Sequence, residues 1–230
     1  MPILILILAG SLLAAGRPAQ PSPSLEQASA AFAEGRDQEA VEWLSRSSPQ
    51  AAADLLFQWG RRRSEEKTRQ LEAQGALRKN QRPRFFFEEL IRRYPQSQWA
   101  DDAALLLLED GFCYQWGDYP DCPTFEILQY EKFLKEFPFS DQKPRALLEM
   151  ARRYRVLAER YREPAPWSKP ARAELCSAFA QSLWQELIEN YPATAEAAEA
   201  RTRLEQIPAA GRPAVPMPRT VFEFLSREGE

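Results

Sequence analysis

The chain has no histidine, which removes the commonest general base and the commonest zinc and copper ligand. Chemistry by Asp, Glu, Lys or Cys stays open. Cysteine is scarce: Cys113, Cys122 and Cys176 include no Cys-x-x-Cys pair, too few ligands for a structural zinc site. A nucleophilic cysteine would want a histidine partner, which the chain cannot provide. Neither a metal nor another cofactor is expected. Glycine is low, with 9 residues against 19 prolines, a balance that suits helices punctuated by proline. Charge of one sign does not accumulate: 30 Lys and Arg face 33 Asp and Glu, for a net charge of −3. Global charge therefore draws the chain neither to nucleic acid nor to an acidic membrane surface. The apolar run Ile3–Ala15 falls short of the ~20 residues that a spanning helix needs.

That run fits the hydrophobic segment of a secretory signal peptide, with small residues Ala14, Ala15 and Gly16 placed for cleavage. No Lys or Arg precedes it, so the α-amino group alone supplies charge there. The alternative is a hydrophobic first helix of a cytoplasmic protein. We expect residues 1–16 to be the signal and the protein to be periplasmic or otherwise exported, with no transmembrane span after removal of the signal. LLAAG resembles the start of a lipoprotein signal, but Arg17 stands where the lipid-bearing cysteine would be. Residues 17–24 (RPAQPSPS) read as a disordered linker. Residues 25–207 read as the folded domain, 208–218 as a second Pro-rich linker, and 219–230 as a short terminal helix. Its Val221, Phe222, Phe224 and Leu225 suit a cover for the last repeat or a tethered helix for a partner groove.

One phrase organises the folded region. Phe87, Leu90, Ile91 and Tyr94 fall at helical spacing and stop at Pro95; Ser97 then suits a helix cap, and Trp99, Ala100, Ala103, Ala104 and Leu107 face back. Tyr130, Phe133, Leu134 and Phe137 precede Pro138 and Ser140. Trp184, Leu187, Ile188 and Tyr191 precede Pro192 and Thr194. A fainter copy is Val41, Leu44, Pro49, Ala52 and Leu55. Repeated helix–proline–helix units bury their cores against neighbours. The fold class is all-α.

Further elements follow from periodicity. Residues 25–34 and 38–46, joined at Gly35, form a helical hairpin with Ala28, Ala31, Phe32, Ala40, Val41 and Leu44 on its contact face. A longer helix runs from Gln50 to about Gly75. Gly111–Phe125 breaks all helical periodicity and reads as a loop. Helices follow over 126–136, 140–160, 171–190 and 195–206, with a loop at 163–170.

The phrases LIRRYPQSQWADDA and FLKEFPFSDQKPRALLEMA resemble the exported tetratricopeptide proteins of bacterial envelopes. These include the BamD-type component of the β-barrel assembly machine and the coordinator proteins of the Tol–Pal system. The prolines here lie 46, 43 and 54 residues apart, wider than the ~34-residue tetratricopeptide period. The resemblance covers about Leu25 to Ile207. It implies tetratricopeptide-like helical hairpin repeats in a short right-handed solenoid. It further implies a non-catalytic scaffold for envelope proteins or peptides, linked to outer-membrane protein assembly or envelope maintenance, with peripheral attachment to membrane complexes. The functional groove would be lined by the first helix of each unit: 98–109, 141–160 and 195–206. Its exposed candidates are Asp101, Asp102, Arg152, Arg153, Arg155 and Arg201. The alternatives are an enzyme acting on cell-wall glycan, or an accessory domain of one, and a cytoplasmic tetratricopeptide adaptor.

Other residues invite two readings. In an oxidising compartment Cys113 and Cys122 would pair and staple their loop, leaving Cys176 a buried lone thiol. Tyr114, Trp116 and Tyr119 in that loop suit a rigid binding tip or simple packing. Arg61–Arg63 suit an anion patch, but the interleaved Glu65 and Glu66 favour a solvated face. Glu88, Glu89, Asp101 and Asp102 suit acid–base carboxylates, but acids at helix starts are favoured by the helix dipole alone. Trp99 and Trp184 occupy core positions, whereas Trp116 and Trp167 fall in loops.

Overall fold

The computed structural model describes residues 22–74, 84–109 and 120–206. These residues form nine α-helices and no strand. They divide into two compact units, one ending at Ser48 and the other beginning at Pro49. Residues 1–21 and 207–230 lie outside the description, and with them the expected signal, the second linker and the terminal helix. Among the described residues, no helix is long and apolar enough to cross a membrane.

The first unit is the hairpin of α1 (Pro23–Ala33) and α2 (Asp37–Leu44). Its turn needs Gly35, which sits at φ 77°, a conformation that a Cβ disfavours. Gly35 N–H bonds the Phe32 carbonyl at 3.1 Å and Arg36 N–H bonds the Ala31 carbonyl at 2.9 Å. That pair of bonds is a Schellman close, which satisfies carbonyls left over at the helix end. Ala28, Ala31, Phe32, Ala40, Val41 and Leu44 are buried, as the spacing predicts.

The second unit comprises α3 (Pro49–Ala73), α4 (Phe85–Arg93), α5 (Ala100–Glu109), α6 (Asp121–Glu136), α7 (Lys143–Arg162), α8 (Pro170–Asn190) and α9 (Ala195–Glu205). Each helix packs on the next in chain order, and α7 also touches α9. On α3, Phe57 stacks on Trp99 at 4.7 Å and meets Phe87 edge-on at 6.0 Å. Gly60 permits this approach of α4, because a Cβ there would come within 2.7 Å of the Phe87 ring. A core cluster joins α5 through α9, with Trp184, Tyr130, Tyr154 and Tyr161 as its bulkiest members. Tyr154 stacks on Phe179 at 4.9 Å, tying α7 to α8.

The repeated phrase is repeated in the backbone. Tyr94, Phe137 and Tyr191 each end a helix with φ/ψ of −132/55°, −122/63° and −132/45°. The following proline excludes the helical region for each of them. Each donates its N–H four residues back, to Leu90, Phe133 and Leu187, and each carbonyl accepts from residue i+3: Ser97, Ser140 and Thr194. The three side chains then differ. Thr194 caps α9, its Oγ1 accepting from Ala197 N–H at 3.2 Å. Ser140 Oγ accepts from Gln142 N–H at 3.0 Å. Ser97 does not cap: α5 starts at Ala100, Ser97 Oγ has no partner, and its carbonyl takes the Ala100 N–H instead.

The boundary expected at Phe125 is corrected. Helix α6 begins at Asp121, so residues 121–125 are helical and Pro123 is buried in the first turn. Proline is tolerated there because the first-turn N–H groups have no helical acceptor. Residues 110–119 lie outside the description.

Candidate functional site

Helices α5, α7 and α9 come together around a groove of about 430 Å³ lined by Glu109, Arg145, Leu148, Glu149, Arg152, Ala195, Glu196 and Glu199. These are the three stretches that the tetratricopeptide resemblance marks as lining a groove. The lining is mostly charged, and helical periodicity places it: Arg145, Glu149 and Arg152 lie at i, i+4 and i+7 on α7, and Glu196 and Glu199 at i, i+3 on α9. Two arginines of α7 tie the walls together. Arg145 binds Glu109 of α5, with Nε at 2.5 Å. Arg152 binds Glu199 of α9, with Nη2 at 2.5 Å, and also Glu149. Burial alone would raise the Glu199 pKa, but Arg152 and Arg203 outweigh it and hold the carboxyl below its ordinary range. Among the described residues, the Glu196 side chain has no hydrogen-bond or ion-pair partner.

Asp101 and Asp102 stand half-buried in the first turn of α5. Burial raises the Asp102 pKa, and the charges of Asp101 and Asp141 add to it; Arg145 opposes them. Arg145 is already engaged by Glu109.

Arg153 is not an exposed candidate; it is 6% exposed. It lies on the same face of α7 as Met150, Tyr154 and Leu157, which are also buried. Its Nε bonds Glu126 at 2.6 Å, and its Nη1 bonds the Glu149 carboxylate at 2.7 Å and the Glu149 carbonyl at 2.9 Å. The guanidinium also lies over the Tyr130 ring at 4.5 Å. Burial works against the Arg153 charge, but Tyr130, Glu126 and Glu149 outweigh it and the pKa rises. This group fastens α6 to α7 beneath the surface.

The remaining candidates are dispersed. Arg155 is exposed and pairs with Glu159 at 2.9 Å; Arg201 is exposed and donates to the Pro192 carbonyl at 2.9 Å. Trp99 is half-buried and donates to Asp54 at 2.6 Å. Trp167 is half-buried rather than exposed. Trp184 is 1% exposed, a core residue. Glu88 pairs with Arg84, and Glu89 with Arg92 and Arg93. Arg61, Arg62 and Arg63 pair with Glu65 and Glu66 at helical spacing. Cys113, Tyr114, Trp116 and Tyr119 lie outside the described residues. Cys122 is a half-buried disulfide cysteine in the first turn of α6. Cys176 is free and buried in α8, and burial pushes its thiol up to about 12, so it is not a thiolate at neutral pH.

A second groove, of about 610 Å³, lies along α3 and reaches Leu106 of α5, with Phe87 at its base and Arg61, Ser64, Glu65, Thr68 and Arg69 along its side. Ser64 and Thr68 turn their hydroxyls back onto the carbonyls of Gly60 and Ser64, so they offer little to a ligand. Sequence reasoning missed Glu109, Arg145, Glu149, Glu196 and Glu199. Applying the helical spacing rule to charges as well as to apolar residues would have found the α7 and α9 faces. No family model matches this chain, and no curated protein matches it significantly.

Proposed function

We propose that this chain is an exported, non-catalytic scaffold of tetratricopeptide-like hairpins that holds a protein or peptide of the cell envelope between α5, α7 and α9. The observation that carries this reading is the groove itself: alternate helices supply its walls, and the side chain of one wall residue, Glu196, has no partner among the described residues. A charged lining of this kind selects a partner by electrostatic fit more than by buried area. The thrice-repeated turn at Tyr94, Phe137 and Tyr191 supports repeat architecture. Links to outer-membrane protein assembly and peripheral attachment to a membrane complex rest on the family resemblance.

Full-length protein and its Glu196→Lys variant, each used to capture partners from an envelope extract, test the groove. Wild type should enrich a discrete protein and the variant should lose it. The substitution costs only about 0.3–1 kcal/mol through the helix dipole, so the fold should persist. Equal capture by both proteins refutes the groove. Saturable glycan binding or bond cleavage would move the assignment to cell-wall chemistry.

Export and the Cys113–Cys122 disulfide belong to the same proposal. The apolar run Ile3–Ala15 supports the first; two cysteines with eight residues between them, among these Gly117 and Pro120, support the second. Mass spectrometry of unreduced protein should show a mature start near Gly16 and linked Cys113 and Cys122 peptides. A start at Met1 with both thiols free, in a cytoplasmic fraction, would favour the cytoplasmic adaptor.

A further inference from the structure

The groove along α3 shares no lining residue with the α5–α7–α9 groove and differs from it in chemistry. We propose that it docks an acidic amphipathic helix of a partner protein, whose carboxylates meet Arg61 and Arg69 and whose apolar residues lie over Phe87 and Leu106. This goes beyond the scaffold reading, which rests on the other groove, so each can fail alone.

The lining combines an apolar floor with cations along one wall. Phe87 of α4 and Leu106 of α5 form the floor, and Ser64 and Thr68 of α3 line the wall. Both hydroxyls are engaged by helix carbonyls, at 2.8 and 2.9 Å, so this part of the wall offers carbon rather than free donors. A volume of about 610 Å³ admits several apolar side chains.

Charge selects the occupant. Residues 61–73 carry five Arg and Lys against three Glu, in a chain whose net charge is −3. Arg62 and Arg63 are held by Glu66, at 3.1 and 3.0 Å. The two arginines of the groove are not held in this way. Arg61 stands 3.8 Å from Glu65, with the two side chains 62% and 64% exposed, a pair that contributes little. Arg69 Nε reaches the Glu65 carbonyl at 3.4 Å and, among the described residues, Arg69 has no carboxylate partner. Both guanidinium groups are therefore open to a partner's acids. Eight residues separate Arg69 from Arg61, about 12 Å along α3 at 1.5 Å per residue. Two carboxylates seven residues apart on a second helix lie on one face, about 10.5 Å from each other, and match that spacing. The third and fourth residues after the first carboxylate share its face and meet the floor. Glu65, midway between the arginines, repels a carboxylate placed there and so fixes the register.

Fluorescence anisotropy with full-length protein tests this. The probe is a designed, fluorescently labelled helical peptide with two Glu seven residues apart, two Leu at the third and fourth positions after the first, and Ala and Gln elsewhere. Wild type should bind it saturably, and added salt should weaken binding. Arg61→Glu/Arg69→Glu should bind it about tenfold more weakly or worse, and should prefer a peptide with Lys in place of both Glu; loss of structure cannot produce that reversal. Arg61→Gln/Arg69→Gln serves as a milder second variant, and circular dichroism of both should match wild type. Replacing the two Leu by Ala should abolish binding, whereas Glu196→Lys should leave it unchanged. Absent binding to wild type, binding that ignores the charge reversal, or binding lost in Glu196→Lys overturns the proposal. So does self-association, or binding to phosphatidylglycerol vesicles, that depends on these arginines while the peptide does not bind; those outcomes give the groove to a second copy or to a membrane surface.

Discussion

Replacing Arg153 by Met in the full-length protein is expected to lower its stability by about 3–5 kcal/mol, because it takes the guanidinium away from the buried Glu126 carboxylate. For a domain of this size that corresponds to a melting temperature roughly 6–20 °C lower. Glu126 is 1% exposed and its Oε2 lies 2.6 Å from Arg153 Nε, so no water can take the place of the guanidinium without repacking. Adding Glu126→Leu removes the buried carboxylate as well and should restore a substantial part of the loss. Denaturant titrations of the two single variants and the double variant check this. A single-variant loss under about 1 kcal/mol would show that solvent reaches the pair and that it is no more than a surface salt bridge.

This buried pair also shows where sequence reading stops. The apolar lattice was legible: Val41, Leu44, Leu90, Tyr130, Leu147, Tyr154, Trp184 and Leu187 all sit where 3.6-residue periodicity puts them. The turns were legible because proline acts locally, on the residue just before it. Arg153 was not, because within Arg152–Arg153–Tyr154–Arg155 a buried cation reads like its exposed neighbours. The signal that separates them is phase. Arg153 follows Met150 by three residues and precedes Leu157 by four, inside the buried stripe of α7. Glu126 precedes Tyr130 by four, inside the stripe of α6. Two opposite charges at core phase on adjacent helices point to each other. The start of α6 was misread for a different reason. Pro120 and Pro123 look like loop punctuation, yet at a helix start proline supplies a suitable φ and forfeits no bond. The groove was legible only as three helix stretches; which charges meet across it depends on how the helices pack, and no local pattern carries that.

Trp184→Ala should be the other severe substitution, with an expected loss of about 3–5 kcal/mol. Trp184 is 1% exposed and belongs to the cluster shared by α5 through α9, so truncation opens a cavity where several helices meet. Other members of that cluster are themselves ring- and branch-shaped: Tyr154 and Phe179 are stacked, and Leu187 is 0% exposed, which leaves the cluster little room to collapse inward. Comparison with Trp184→Phe separates shape from polarity. The indole Nε1 is buried without a hydrogen-bond partner, so it adds no bond that phenylalanine would forfeit. An unsatisfied buried donor carries a cost of about 1–3 kcal/mol, and removing it should offset part of the lost packing. Trp184→Phe should therefore cost less than half as much as Trp184→Ala. Equilibrium unfolding by urea, followed by far-ultraviolet circular dichroism so that the lost indole does not bias the signal, measures both. If the two substitutions cost the same, the indole N–H has a partner after all; if Trp184→Ala costs only a few tenths of a kcal/mol, Trp184 is not in the core.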